Sequence, residues 1–343
     1  MTAPMENNKI LAITSGVVLV VIVGLILRLA KPVFFPFFLA IFFYFILSPA
    51  LDFLMRLKIP KPIAVFIIIA VAFCGLYLLG ILIYASGKEF AASFPQYGEQ
   101  INSLFSSLLE KLGLSKVSWD PWVWSKSLDV NKVTSLVVGS LDKIFSFFSD
   151  FALIFVFLVF MLSGRGKLTS KVDRAFHPGR AKKINQILEN IDSQIQKYLI
   201  IKTGVSLIAG IFTAALLFVF GVHYAILFGF LTFVLNYIPS VGSIVAVVLT
   251  ALAAAIQLGS FWPALWILLI LIIFDSFLGS FLEPKLMGQG LGLSPLVVLF
   301  SLIFWGWLWG IPGMILAVPL MAVIKIICSN IPSLQSVAEI MSN

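Results

Sequence analysis

Two cysteines and two histidines are all that this 343-residue chain offers to a disulfide framework or a soft metal. Cys74 sits inside an apolar run and Cys328 near the C-terminus, and neither they nor His177 and His223 have the spacing of a zinc site. No phosphate-binding loop is present, and no nucleophile lies beside a base, so the sequence contains no catalytic constellation and requires no cofactor and no metal. An enzyme is the least expected class on that ground. Charge is scarce as well: 11% of residues are charged against 61% hydrophobic, and the mean hydropathy is +1.10. This balance excludes a soluble globular protein, and the apolar runs are long enough to span a bilayer. A net charge of +8 would suggest nucleic acid in a soluble chain. Here the excess sits in short loops, where it sets membrane orientation, so no nucleic acid partner is expected and membrane lipid is.

What is there reads as an all-α membrane protein, a polytopic helical bundle of about six to eight membrane segments. Segment one runs from Ile10 to Leu27, with no small-residue cleavage site after it, and reads as an uncleaved span. A tight turn at Arg28 to Pro32 leads into segment two, Val33 to Leu54, making a helical hairpin. Arg56, Lys58 and Lys61 mark the next loop as cytoplasmic, and segment three covers Ile63 to Ala85. Arg28 and Lys31 then fall on the outer side, where their stems snorkel to headgroups. Residues 1–86 form this first block. Residues 87–144 form an extracytoplasmic region with six lysines against six acids between Gly87 and Lys143. Within it Ile101, Leu104, Phe105, Leu108, Leu109 and Leu112 recur at helical spacing, and the cluster from Trp119 to Trp124 reads as interfacial anchoring. Segment four fills 145–164. Residues 165–202 are the most basic stretch, a cytoplasmic linker in which Ile184, Ile187, Leu188, Ile191 and Ile195 line one face of a surface helix. Residues 203–327 form a transport core that opens with segment five, Thr203 to Phe220, and residues 328–343 form a cytoplasmic tail. Both termini are thereby cytoplasmic.

The core contains two interrupted segments. Tyr224 to Ile256 would reach roughly 50 Å as a straight helix, against a hydrocarbon thickness of about 30 Å. It breaks at Asn236 to Gly242, around Pro239. The last segment, from Pro295 to Lys325, breaks at Gly310, Pro312 and Gly313. Ile238-Pro239 and Ile311-Pro312 occupy comparable places and suggest an internal repeat. Each segment is either a broken span or a re-entrant hairpin, because the freed backbone groups need partners or water. Between them, segment seven from Phe261 to Leu282 places Asp275 near mid-depth. An ionisable group there is a functional candidate, since desolvating it is expensive. Asp275, Ser276, Gly279, Ser280 and Glu283 cover about 140° of one helical face. That stripe, completed by Asn236 and the carbonyls freed at Pro239, suits a small polar solute, a monovalent cation or a proton relay. The plainer reading pairs Asp275 with Lys202 or Lys285 as a helix lock, and gives Glu283 a local ion pair beside Pro284 and Lys285.

The runs NYIPSVGS and EPKLMGQGLGLSP, followed by GIPG and a Pro-Leu ending, resemble the C-terminal signature of the autoinducer-2 exporter family of bacterial and archaeal membrane proteins. Asn236, Ile238, Pro239 and Gly242 meet its first pattern, Pro284, Met287 and Gly288 its second, and Gly310, Gly313, Pro319 and Leu320 its third. Ser240 and Ser243 stand where the resemblance leads one to expect an aromatic residue and a proline. The resemblance implies transport: export of autoinducer-2, a small polar furanone derivative, or antiport of sodium or lithium ions against protons. It also implies a homo-oligomer, with a pentamer the expected state, in the bacterial or archaeal cytoplasmic membrane. A passive oligomeric channel and a non-transporting membrane scaffold are the other classes that the composition admits.

Overall fold

The computed structural model describes residues 22, 24–93, 139, 151–288 and 291–342. Most of segment one, the helical face from Ile101 to Leu112, the Trp119 to Trp124 cluster and the start of segment four lie outside the described residues. In chain order the longer helices are α1 (Lys31–Arg56), α2 (Lys61–Ser93), α3 (Phe151–Gly164), α4 (Lys167–Ala175), α5 (Pro178–Val219), α6 (Ala225–Leu235), α7 (Val241–Leu258) and α8 (Phe261–Phe277). A single π-helical turn (Leu278–Leu282) joins α8 to α9 (Glu283–Met287), and α10 (Pro295–Trp309), α11 (Ile311–Asn330) and α12 (Gln335–Ile340) follow. Among the described residues six helical stretches are long and apolar enough to cross a membrane, and α3 with α4, bent by 67°, would make a seventh. The chain is therefore an all-α, multi-pass membrane protein, with the number of spans that its apolar runs imply.

Local chemistry explains why these helices run or stop where they do. α1 continues through Pro49, whose missing N–H would leave the carbonyl of Phe45 unbonded. The Oγ of Ser48 donates to that carbonyl at 3.3 Å, a side-chain repair suited to a medium without water. α5 is 42 residues long, about 63 Å, twice the hydrocarbon thickness. The surface helix and segment five expected as separate elements are this one helix, because nothing between Ile184 and Val219 breaks the backbone except isolated glycines.

The chain folds as two compact units, Met1–Pro49 with Leu153–Ile195 and Leu291–Asn343, and Ala50–Ala152 with Gln196–Gly290. Within the first, α10 and α11 pack against each other after the chain reverses at Gly310 (φ 76°). Ser301 Oγ donates to the carbonyl of Ala317 at 2.9 Å across the pair. Phe35, Phe38, Trp305 and Trp309 pack beside it in edge-on and tilted ring contacts, with Trp309 2% exposed. At the foot of the hairpin, the N–H of Ser294 donates to Met341, and Lys325 Nζ donates to the carbonyls of Leu291 and Gly292.

Within the second unit, α5 and α6 cross at Gly210 and Gly229, whose backbones approach so closely that neither position has room for a Cβ. α6 and α7 then make another hairpin around residues 236–240. Leu217, Phe228, Val247, Ala254, Ile267 and Leu271 form the apolar core between these helices and α8. Both interrupted segments are thus hairpins of a short and a longer helix, 11 and 18 residues in one and 15 and 20 in the other.

The same device closes both turns. A Cβ on Gly242 would lie 1.7 Å from the carbonyl oxygen of Leu235, and one on Gly313 would lie 2.0 Å from that of Trp305. Each clash is with backbone, which has no rotamer to change. Gly242→Ala and Gly313→Ala are each expected to destabilise the protein by about 1–3 kcal/mol or more. Gly75→Ala, where nothing lies within 4 Å, should be neutral. Thermal unfolding of the purified variants in detergent checks the contrast.

Candidate functional site

A cavity of about 550 Å³ opens in the second unit, lined by α5, the 236–240 turn, α7, α8 and the π-helical turn. Asn236, Asp275, Ser276, Ser280 and Glu283, the five pathway candidates read from the sequence, all line it. So does Pro239, while Gly242 lets the backbone close beneath it. Pro284 opens α9 and Gly288, at φ 67°, ends it, with Lys197 Nζ 3.9 Å from where a Cβ would be. Gly310, Pro312 and Gly313 shape the α10–α11 hairpin and are not in the lining of this cavity.

Asn236 is 8% exposed and ties three elements together. Its Nδ2 donates to Ser206 Oγ on α5 at 3.2 Å, and its Oδ1 accepts from Ser243 Oγ on α7 at 3.1 Å. An amide has two donors and two acceptor lone pairs, so one of each stays available to a ligand. Beside it Ser240 has φ 59° and ψ −53°, and the N–H of Val241 donates to the carbonyl of Pro239 at 2.6 Å. This is a γ-turn of the positive-φ kind, rare and strained for a residue with a side chain. The strain sits in the cavity wall.

The charges are arranged differently from the helix lock read from the sequence. Lys202 Nζ donates to both oxygens of Glu283, at 2.9 and 3.0 Å, and the two side chains are 5% and 19% exposed. Lys202 therefore pairs with Glu283, and the partner of Glu283 is 81 residues away in the chain, not its neighbour Lys285. Lys285 instead places its Nζ 5.4 Å from the centroid of the Phe281 ring. The π-helical turn supplies a reason: i→i+5 bonding under-winds the helix and brings Glu283 back toward the line of Asp275. Asp275 makes no hydrogen bond and no ion pair within 4 Å among the described residues, although it feels the charge of Lys202 across the cavity. One carboxylate in the cavity is committed and the other is available.

Sequence reading missed the α5 side of the site. Lys202, Thr203, Ser206 and Thr213 recur at helical spacing, and Lys202, Ser206 and Thr213 are 4%, 0% and 1% exposed. That periodicity is present in the sequence, but there Lys202 enters only as a candidate partner for Asp275 and the hydroxyls on its face go unread. Tyr237 Oη donates to Thr203 Oγ1 at 2.8 Å, which anchors the turn to the same face.

A multi-pass helical protein in which one hairpin and an under-wound helix line a solute-sized cavity with polar groups in its wall has the arrangement of a membrane transporter. More specifically, the chain belongs to the AI-2E transporter family, whose model matches residues 16–333. It is 32% identical over 343 residues to the AI-2 transport protein TqsA of Escherichia coli, covering 98% of this chain and 96% of that one. It is also 32% identical to proteins named for transport in Borreliella burgdorferi, over 92% of this chain and 88% of that protein, and in Haemophilus influenzae, over 96% of each.

Removing one partner of a buried ion pair leaves the other charge uncompensated. Lys202→Met should therefore destabilise the protein by about 3–5 kcal/mol. The double variant Lys202→Met/Glu283→Leu should recover most of that loss, as measured by a double-mutant cycle on unfolding midpoints.

Proposed function

We propose that the cavity between α5, α7 and α8 is the substrate site of a secondary transporter that moves a small polar solute across the bacterial or archaeal cytoplasmic membrane. The observation that supports this reading best is the mixture of groups in its wall. Asn236 keeps a donor and an acceptor, Ser240, Ser276 and Ser280 supply hydroxyls, and Asp275 is a carboxylate with no hydrogen bond or close ion pair among the described residues. A hydroxylated ring compound matches that set, since a carboxylate accepts from vicinal hydroxyls and an amide donates to ring oxygens. Together with the likeness to the AI-2 transport protein TqsA, this makes autoinducer-2 the first solute to test. Export is the direction we propose.

A second reading has its own support. The Asp275 carboxylate, set among serine hydroxyls and the side-chain amide of Asn236, is an oxygen donor set for sodium or lithium. In antiport Asp275 would bind cation and proton in turn. On either reading both termini face the cytoplasm, because the basic stretch from Arg165 to Lys197 and the loop from Arg56 to Lys61 belong on the inner side. The functional state we propose is a homo-oligomer, and a pentamer is the first state to test.

Purified protein in proteoliposomes under an imposed proton gradient separates the readings. Asp275→Asn should reduce the flux roughly ten- to hundredfold, the loss expected of a charge-assisted hydrogen bond. Loss of autoinducer-2 flux without any sodium-dependent proton signal supports solute transport. Loss of sodium-driven proton movement supports antiport. Unchanged flux of both kinds would remove Asp275 from the mechanism.

A further inference from the structure

The cavity ends against α7, and that helix continues its polar character into the apolar core. Ser243 lines the cavity, and Thr250 and Gln257 follow it at intervals of seven residues. Seven residues return to nearly the same face of a helix, drifting by about 20°. The three side chains therefore form a ladder about 21 Å long, some two-thirds of the hydrocarbon thickness. Thr250 is 1% exposed, and its Oγ1 has no hydrogen-bond partner among the described residues. The Oε1 and Nε2 of Gln257 are shielded from solvent and also lack partners among those residues. Around them lie Val247, Ala253 and Ala254 of the apolar core, with Val247 also reaching the cavity wall. On the other side of α7, Val245 and Leu252 are exposed.

Buried polar groups without partners are unfavourable, and more so where no water can reach them. A threonine hydroxyl in a membrane helix commonly bonds back to its own preceding turn, and Thr250 does not. An alanine or valine would fill the same space without the penalty.

Resting on the reading of the cavity as the substrate site, we propose that the Ser243–Thr250–Gln257 face of α7 is a closed leg of the transport path. In another state of the cycle it is wetted, and its hydroxyls and amide hand a polar solute or a hydrated cation between the cavity and one membrane face. In the present state the core residues Val247, Ala253 and Ala254 seal it. Small side chains beside the ladder let the neighbouring helices separate from α7 without withdrawing large groups.

Cysteine accessibility tests this without depending on the identity of the solute. In a Cys74→Ser/Cys328→Ser background, single cysteines at Ser243, Thr250, Gln257, Val245 and Leu252 are exposed to a charged, membrane-impermeant methanethiosulfonate. The protein is reconstituted and cycling under a proton gradient with sodium and autoinducer-2 present. Only a thiol that meets water ionises and reacts. Cysteines at Ser243, Thr250 and Gln257 should label about tenfold or more faster than those at Val245 and Leu252. If Ser243→Cys labels and Thr250→Cys and Gln257→Cys match the Val245 and Leu252 controls, the ladder is overturned while the cavity stands. If Ser243→Cys is also silent, both fall. As an independent check, Thr250→Val removes the hydroxyl at almost constant volume, so a purely structural residue would keep full flux and an equal or higher unfolding midpoint. Flux that falls severalfold while the midpoint holds supports the path role, and wild-type flux refutes it.

Discussion

Every backbone N–H and C=O of this protein that lies at membrane depth must find a partner inside the protein, and the architecture follows from how the chain meets that demand where its helices stop. Two hairpins reverse direction within apolar segments, and each reversal succeeds because a glycine lets one arm close onto a carbonyl of the other. At Gly242 the approach is to Leu235, and at Gly313 it is to Trp305. With the arms pressed together, the turn atoms are satisfied by their own neighbours, as in the bond from the N–H of Gly242 to Ile238. The repair of Pro49 by Ser48 is the same solution on a smaller scale.

From that constraint the polar site follows almost by necessity. The reversal at residues 236–240 bonds carbonyls of its own, that of Pro239 included, to N–H groups of the turn, so the carbonyls expected to be free there are not, and what is left to satisfy are the side chains of Asn236 and Tyr237. α5 brings Ser206 and Thr203 to the amide of Asn236 and the hydroxyl of Tyr237, while α8 brings Asp275 and Ser276 to the cavity wall. The under-wound turn after α8 then carries Glu283 to Lys202. Lys202, Asp275 and Glu283 thus gather around one cavity, where the Lys202–Glu283 pairing offsets part of the desolvation of those two charges.

Much of this is legible in the sequence because length and periodicity are arithmetic. A segment of Tyr224 to Ile256 cannot cross once, and an acid at Asp275 followed by Ser276, Ser280 and Glu283 has one face to share. Those two facts suggest that Asp275 faces the break at Asn236, and both residues line one cavity. The partner of Lys202 does not follow from them, since a regular helix from Asp275 to Glu283 does not foresee an i→i+5 turn, and no residue preference in LGSFL announces one. The merging of the basic linker with segment five is hidden for a different reason. Amphipathic and all-apolar stretches differ in pattern and so suggest separate elements, although the chain between them holds nothing that ends a helix.

The two carboxylates of the cavity are unequal, and that inequality has a consequence for how the site can work. Glu283 is held by a bidentate ammonium, so changing its state means breaking a buried pair at several kcal/mol, about 3–5 by analogy with other such pairs. Asp275 has no such lock, so binding or releasing a ligand there disturbs no bond between helices. On the transporter reading, this division separates a group that fixes α5 against α9 from a group that meets the cargo. A ligand shifts a conformational equilibrium only by its differential affinity for the two states. A carboxylate held only by the longer-range charge of Lys202 offers more of that differential to a ligand than one bonded at both oxygens, which is the physical reason to propose Asp275 for the transport chemistry and Lys202 with Glu283 for the scaffold.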